Sequence, residues 1–504
     1  MRFRPLVIAL ALIAHSVAFA ADPLDGVRQY RLAHEKEILT ELVSLLEIPN
    51  VARDRENIER NAAHLTAMLE RRGIESRLLR VGDAPPVVFG KLDVPGATRT
   101  VVFYAHYDGQ PAGEGWSSDP WTPVLRSGAL DLGGKDLPWS ALEGAIDPEW
   151  RVYARSASDD KGPIIAMLAA LDALRAAGLR PSVNLRFFFE GEEEAGSDHL
   201  GAILEKYRDD LEADLWLFWD GPVHQSRRGQ VVFGVRGVVG VELTTYGPAR
   251  ALHSGHYGNW APNPASLLAT LLSSMRDAEG RVLIDGFYDQ VLPLGETERK
   301  ALAAIPDADD DLRRSLALGG TEAGNARLVD RLMLPALNIR GIESGGVGGE
   351  ARNAIPTVAR ASIDFRLVPD VTPAIVRDLV EKHIRAEGYH IVHDEPDAEA
   401  RRRYAKIVRL DWEDGYPALR TPMDLPASRD VIAVIQEARG ETIVAIPNLG
   451  GSLPLYLFGD ILGAPLIVTP IVNHDNNQHA ADENLRIRNL WDGIDMAALL
   501  MLRL

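Results

Sequence analysis

At 504 residues, with 46% hydrophobic and 25% charged residues, the chain has the composition of a soluble globular protein. That length is too great for one simple core, so two or more domains are expected. A formal charge of -18 argues against nucleic acid or an anionic membrane as partner. The absence of cysteine leaves metal binding to His, Asp and Glu and raises no disulfide question.

Residues 1–20 read as a secretory signal peptide. Arg2 and Arg4 make a basic start, residues 6–13 an apolar core, and Ala18-Phe19-Ala20 a small-residue cleavage pattern. The apolar stretch is short for a membrane span, so cleavage near Ala20, export to a periplasm and no stable membrane insertion are expected. Cleavage removes two arginines and takes the formal charge from -18 to -20. Residues 22–100 open with amphipathic helical patterns, including Ile38, Leu39, Leu42, Leu45 and Leu46, and continue into strand-like segments.

From residue 100 to 221, apolar strands alternate with helices, the pattern of an α/β domain with a mostly parallel sheet flanked by helices. Residues 101–105, 183–189 and 215–219 read as buried parallel strands. Residues 163–177 read as a helix, with Pro163 near its start and Gly178 after its end. Residues 113–149 are rich in Gly, Pro and Trp without periodicity and read as a long functional loop. Beyond residue 234 the pattern changes. Residues 238–245 and 359–367 alternate as half-buried strands, and 264–275 is helical, which suits an inserted α+β lid or dimerisation domain. Inside it, residues 296–331 are acidic and helical. Asp307-Ala308-Asp309-Asp310-Asp311 there lacks the glycine and glutamate spacing of a calcium loop and reads as a solvated turn. The expected division is 1–20 signal, 21–236 catalytic, 237–418 inserted and 419–504 catalytic again.

Charged groups follow closely on the three buried runs: His106 on the first, Glu194 on the second, Asp220 on the third. Ligands in open α/β sheets gather at the carboxyl ends of strands. Asp159 stands just before a helix N-terminus, and His479 lies near the chain's end. Two imidazoles and three carboxylates suit zinc, manganese or cobalt, and the set looks like a two-metal hydrolase centre. Asp108, two residues after His106, shares its face of an extended segment. Gly191-Glu192-Glu193-Glu194 follows Phe187-Phe188-Phe189, a buried run that delivers acids to a strand end.

Together these motifs resemble the M20 metallopeptidases, which include carnosinase-like dipeptidases, glutamate carboxypeptidases and aminoacylases. Leu46-Glu47-Ile48-Pro49-Asn50-Val51, His106-Tyr107-Asp108, Asp159-Asp160-Lys161-Gly162, Glu193-Glu194, Leu252-His253-Ser254-Gly255, Asn353-Ala354-Ile355-Pro356 and Gly450-Gly451-Ser452 follow in the family's order. Ser156 departs from a common Gly, and Asp482-Glu483 from a common Asn-Glu. The resemblance implies two divalent ions per chain, zinc foremost, with manganese or cobalt as alternatives. His106 and Asp220 would hold one, Glu194 and His479 the other, and Asp159 would bridge ions about 3.5–4 Å apart. Asp108 would orient the His106 ring. Glu193 would act as general base on a metal-bridging water.

The resemblance also implies a homodimer in which His253 serves the partner's site as oxyanion donor. Asn353, Arg366, Gly451 and Ser452 would contact the substrate's carboxylate end or its carbonyl. The implied reaction is cleavage of dipeptides or short peptides with release of the C-terminal residue. An N-acyl amino acid amidohydrolase using the same centre is the alternative, followed by a non-catalytic peptide-binding protein.

Overall fold

The computed structural model describes residues 23–324 and 326–504. The expected signal peptide lies outside the described residues. An eight-stranded sheet forms the first layer, in the order Glu75–Leu79, Val87–Leu92, Asn184–Glu190, Thr100–His106, Leu215–Phe218, Leu466–Val468, Gln230–Val232, Val444–Ile446. Its four middle strands run parallel. Antiparallel joints occur at Glu75–Leu79, at Val87–Leu92 and between Leu466–Val468 and Gln230–Val232.

The middle strands are apolar apart from their end residues and the half-buried Arg186, because helices cover both faces. Successive residues go to opposite sides. Phe103, Ala105, Phe187, Phe189 and Leu217 pack under the helices Lys161–Ala176 and Ile487–Arg503. Val102, Tyr104, Phe188, Trp216 and Phe218 pack against Leu200, Leu204 and Phe458 on the other side. Each Phe, Leu or Trp fully buried this way contributes about 1.5–3 kcal/mol relative to exposure.

Residues 113–149 depart from the expected loop. Val124–Arg126 and Asp136–Leu137 join Arg151–Tyr153 and Asn484–Arg486 in a small antiparallel sheet. Strands of two or three residues carry no periodicity, and the last of them arrives from far along the chain, so local sequence gave no sign of pairing.

A second sheet has Gly234–Tyr246 at its centre, flanked by Val358–Leu367 and Ile407–Trp412, with Ala336–Glu343 and His390–Val392 at its edges. The helices Pro264–Met275 and Pro373–Ala386 cover one face through Leu268, Leu271, Val376 and Val380. The α+β expectation therefore holds. The acidic segment forms the helices Glu296–Ala304, Asp309–Ser315 and Leu328–Arg331. Asp309, Asp310 and Asp311 fill the first turn of a helix rather than a free turn, where the macrodipole favours them. Among the described residues no helix is long and apolar enough to cross a membrane.

Candidate metal centre

Three strand ends and two loops converge on one point. Thr100–His106 ends on the buried His106, Asp220 lies just beyond Leu215–Phe218, and Glu193 and Glu194 begin a tight turn after Asn184–Glu190. Asp159 arrives on the loop before the helix Lys161–Ala176, and His479 on a loop after Leu466–Val468. His106 Nε2 lies 2.9 Å from Asp159 Oδ1. His479 Nε2 lies 3.0 Å from Asp159 Oδ2 and 3.2 Å from Glu194 Oε2. Glu193 Oε2 is 3.9 Å from His106 Nε2.

Ligand atoms gather into three groups, each within 4.8 Å: His106, Asp159 and Asp220; Asp159, Glu194 and His479; and His106, Glu193 and Glu194. The first two share Asp159. The structure thus brings together all five residues singled out as ligands.

The cluster is short of positive charge. Four carboxylates (Asp159, Glu193, Glu194 and Asp220) meet two imidazoles, so a surplus of negative charge survives even when both rings are protonated. Burial pushes Glu193 well above the ordinary carboxylate range, and the charges of Asp220, Glu194 and Asp159 add to that. Burial and the Asp159 charge push Asp220 up to about 7. Hydrogen bonds to Asp159 and Glu194 raise His479 to about 10. Asp159 goes the other way: burial opposes its charge, yet hydrogen bonds from His106 and His479 hold it below the usual range. Two divalent cations with neutral imidazoles balance four carboxylates, so the donor set fits a two-metal site.

A layer of buried polar groups, which the sequence marked only through the motifs around them, holds these ligands. Glu483 accepts the N–H groups of Ser156 (2.9 Å), Ser158 (3.0 Å) and Asp159 (2.9 Å), and Arg155 Nη1 donates to it at 2.8 Å. Lys161 Nζ donates to the carbonyls of Leu45 and Ile48, both at 2.8 Å. Asn50 Nδ2 donates to Tyr107 O at 2.6 Å and to Ser156 Oγ at 2.9 Å. These bonds explain why the end of the helix Glu35–Leu46 belongs with the site.

Asp108 lies 3.5 Å from His106 Nδ1 and also accepts the N–H groups of Glu193 (3.1 Å) and Glu194 (3.0 Å). Gln110 Nε2 donates to Glu194 Oε2 at 2.8 Å. Both departures from the motifs have a backbone setting: Ser156 has φ 62° and Asp482 φ 60°. That left-handed region favours glycine and asparagine. Ser156 Oγ compensates by accepting from Asn50, and Asp482 by accepting Ser117 N and Oγ.

The other expected residues form two groups. Arg366 Nη1 donates to Ser452 Oγ at 3.0 Å, and Ser452 lies with the exposed Gly451 on the strand Leu449–Ser452. His253 and Asn353 meet where Leu252–His253 pairs with Ala354–Ile355, and Ser254 N donates to Asn353 O at 3.0 Å. His253 is exposed, its Nδ1 accepts Gly255 N, and it belongs to none of the three clusters in its own chain.

The family model described as Peptidase family M20/M25/M40 matches residues 102–503. The Cys-Gly metallodipeptidase of Schizosaccharomyces pombe is 27% identical over 94% of this chain and 96% of its own length. Human Beta-Ala-His dipeptidase is 25% identical over 99% of this chain and 97% of its own. Among solved structures, an M20 family metallo-carboxypeptidase from Sulfolobus solfataricus superposes with a TM-score of 0.72 at 28% identity, covering 92% of this chain and 98% of that one.

Proposed function

The chain belongs to peptidase family M20/M25/M40, and on that premise we propose that it is a two-metal dipeptidase that releases the C-terminal residue of dipeptides or short peptides. The observation that carries this reading is the pair of ligand clusters sharing Asp159, with the Glu193 carboxylate 3.9 Å from the His106 ring. Similarity to relatives named as dipeptidases, running the length of the chain, supports it.

Zinc is the first choice of metal for this donor set, with manganese or cobalt as alternatives. His106, Asp220 and Asp159 would hold one ion, and Glu194, His479 and Asp159 the other. Bound there, the cations supply Lewis acidity for the scissile carbonyl and make the attacking water more acidic. Glu193 takes the water's proton and returns it to the leaving amine. Asp108 keeps that base in place by holding its backbone N–H while orienting His106. Arg366 and Ser452 receive the substrate's C-terminal carboxylate, with Gly451 and Asn353 beside the bound peptide. His253, exposed and away from its own metal cluster, acts in the partner subunit of a homodimer and stabilises the developing oxyanion. The N-terminal segment supports export to a periplasm.

The test is a screen of metal-reconstituted enzyme over dipeptides, longer peptides and N-acyl amino acids. Dipeptides are expected to give the highest kcat/KM. Preference for N-acyl amino acids would replace this reading with a deacylase.

A further inference from the structure

Where the two sheets meet, the strand Gly234–Tyr246 carries an arginine that the reaction outlined above does not use. Arg236 is 6% exposed. Its Nη2 donates to the carbonyl of Leu334, its Nε has no hydrogen-bond partner, and among the described residues it forms no ion pair. Burying a cation without a counter-charge is costly, and a cost of this kind persists where something else uses the charge.

The register shows what lies beside it. Val238, two residues on, pairs with Arg366, so Arg236 and Arg366 share a face as diagonal neighbours on adjacent strands. On its other side the Arg236 backbone pairs with Ser452, whose hydroxyl accepts from Arg366. The nearest carboxylate is engaged: Asp364 accepts Arg366 Nε at 2.9 Å and Asn338 Nδ2 at 2.9 Å. Burial, with Arg366 and Arg331 adding like charge against Asp364, pushes the Arg236 guanidinium down to about 10. Two guanidiniums therefore share one carboxylate, and the site lacks one negative charge at the place where Ser452 presents its hydroxyl.

We propose that Arg236 is a specificity-determining residue, which with Arg366 forms a two-guanidinium seat for the substrate's α-carboxylate and makes a free C-terminus a requirement. A substrate carboxylate supplies the missing negative charge, whereas a C-terminal amide leaves both cations uncompensated. Discrimination of this kind comes from stranding a buried charged group with the wrong substrate. The inference rests on the reading that Arg366 and Ser452 receive the carboxylate.

The experiment compares kcat/KM for Cys-Gly and its C-terminal amide on metal-loaded enzyme, with metal content and melting temperature recorded for each variant. Arg236→Gln keeps a donor for Leu334 but no charge. It is expected to raise KM for Cys-Gly by about tenfold or more with little change in kcat, and to leave the amide unaffected, because uniform binding is what is lost. Arg236→Lys keeps the charge and should retain most of the acid-to-amide ratio. Equal losses on both substrates, an unchanged ratio in Arg236→Gln, or collapse of the ratio in Arg236→Lys overturns the proposal. Arg366→Gln run in parallel separates the two ideas. If it collapses the ratio and Arg236→Gln does not, only the role of Arg236 fails; if it leaves the ratio intact, the carboxylate reading itself fails and takes the proposal with it.

Discussion

Glu483 accepts the backbone N–H of Asp159 at 2.9 Å, so the carboxylate shared by both ligand clusters is held by one that joins neither. The same side chain takes the N–H groups of Ser156 and Ser158 and the Arg155 guanidinium, so four donors converge on one buried acid. Removing it strands all four and frees the loop that aims Asp159.

Glu483→Ala should therefore lower metal affinity about 10–100-fold although no ligand is lost, the usual size of such supporting contacts. Competition against a chelator of known affinity measures this. Wild-type affinity in a folded variant would show that Asp159 is positioned without it.

Metal removal should abolish peptide hydrolysis, and zinc, manganese or cobalt should restore it. Elemental analysis should find two ions per chain, and saturation at a single ion under excess metal contradicts the shared-Asp159 geometry. Because the ions bind the folded chain, metal at about 100 times its Kd should add roughly 2.7 kcal/mol of stability, read as a raised Tm.

Glu193→Gln should reduce kcat by about 10²- to 10⁴-fold with metal content intact, since the amide keeps the shape but cannot accept a proton. Glu194→Ala should instead lower metal occupancy, because Glu194 lies in the cluster with Asp159 and His479. Losses of equal kind in both variants would remove the distinction between base and ligand.

His253→Ala should cost about 3 kcal/mol of transition-state stabilisation while metal binding is nearly unchanged. Mixing it with Glu193→Gln and allowing subunits to exchange should bring activity back, since one site of each mixed dimer inherits neither defect. Absence of recovery after demonstrated exchange would place His253 in its own chain's chemistry or outside the reaction.

A last prediction concerns the loop before His479. Asp475 accepts Arg151 Nη2 at 2.6 Å and Arg486 Nη2 at 3.1 Å. Although burial opposes its charge, those arginines and Asn473 hold its carboxyl down to about 2. A depressed folded-state pKa contributes stability above the unfolded value, about 3.9, which is lost as pH falls toward 2. Asp475→Asn should thus lower Tm at neutral pH and flatten its decline between about pH 4 and pH 2. An unchanged acid limb would mean that the ion pairs contribute nothing there.

The sequence by itself determined which five residues are candidate ligands. His106, Glu194 and Asp220 each follow a largely apolar run, and a run with no continuous polar face reads as a central strand with a charged end. The change to alternating polarity beyond residue 234 announced a sheet with different cover, because period-two patterning is set locally. Only the tertiary structure decided which ligands pair. His106 meets Asp159 across 53 positions, and His479 reaches the same carboxylate from near the other end of the chain. Strand order, not spacing along the chain, sets those distances. Tertiary structure alone also gave Glu483, Asn50 and Lys161 their work, and turned residues 113–149 from an expected loop into part of a sheet closed by Asn484–Arg486. A buried donor and its acceptor need only meet in space, and a two- or three-residue strand has no pattern until its partner is beside it.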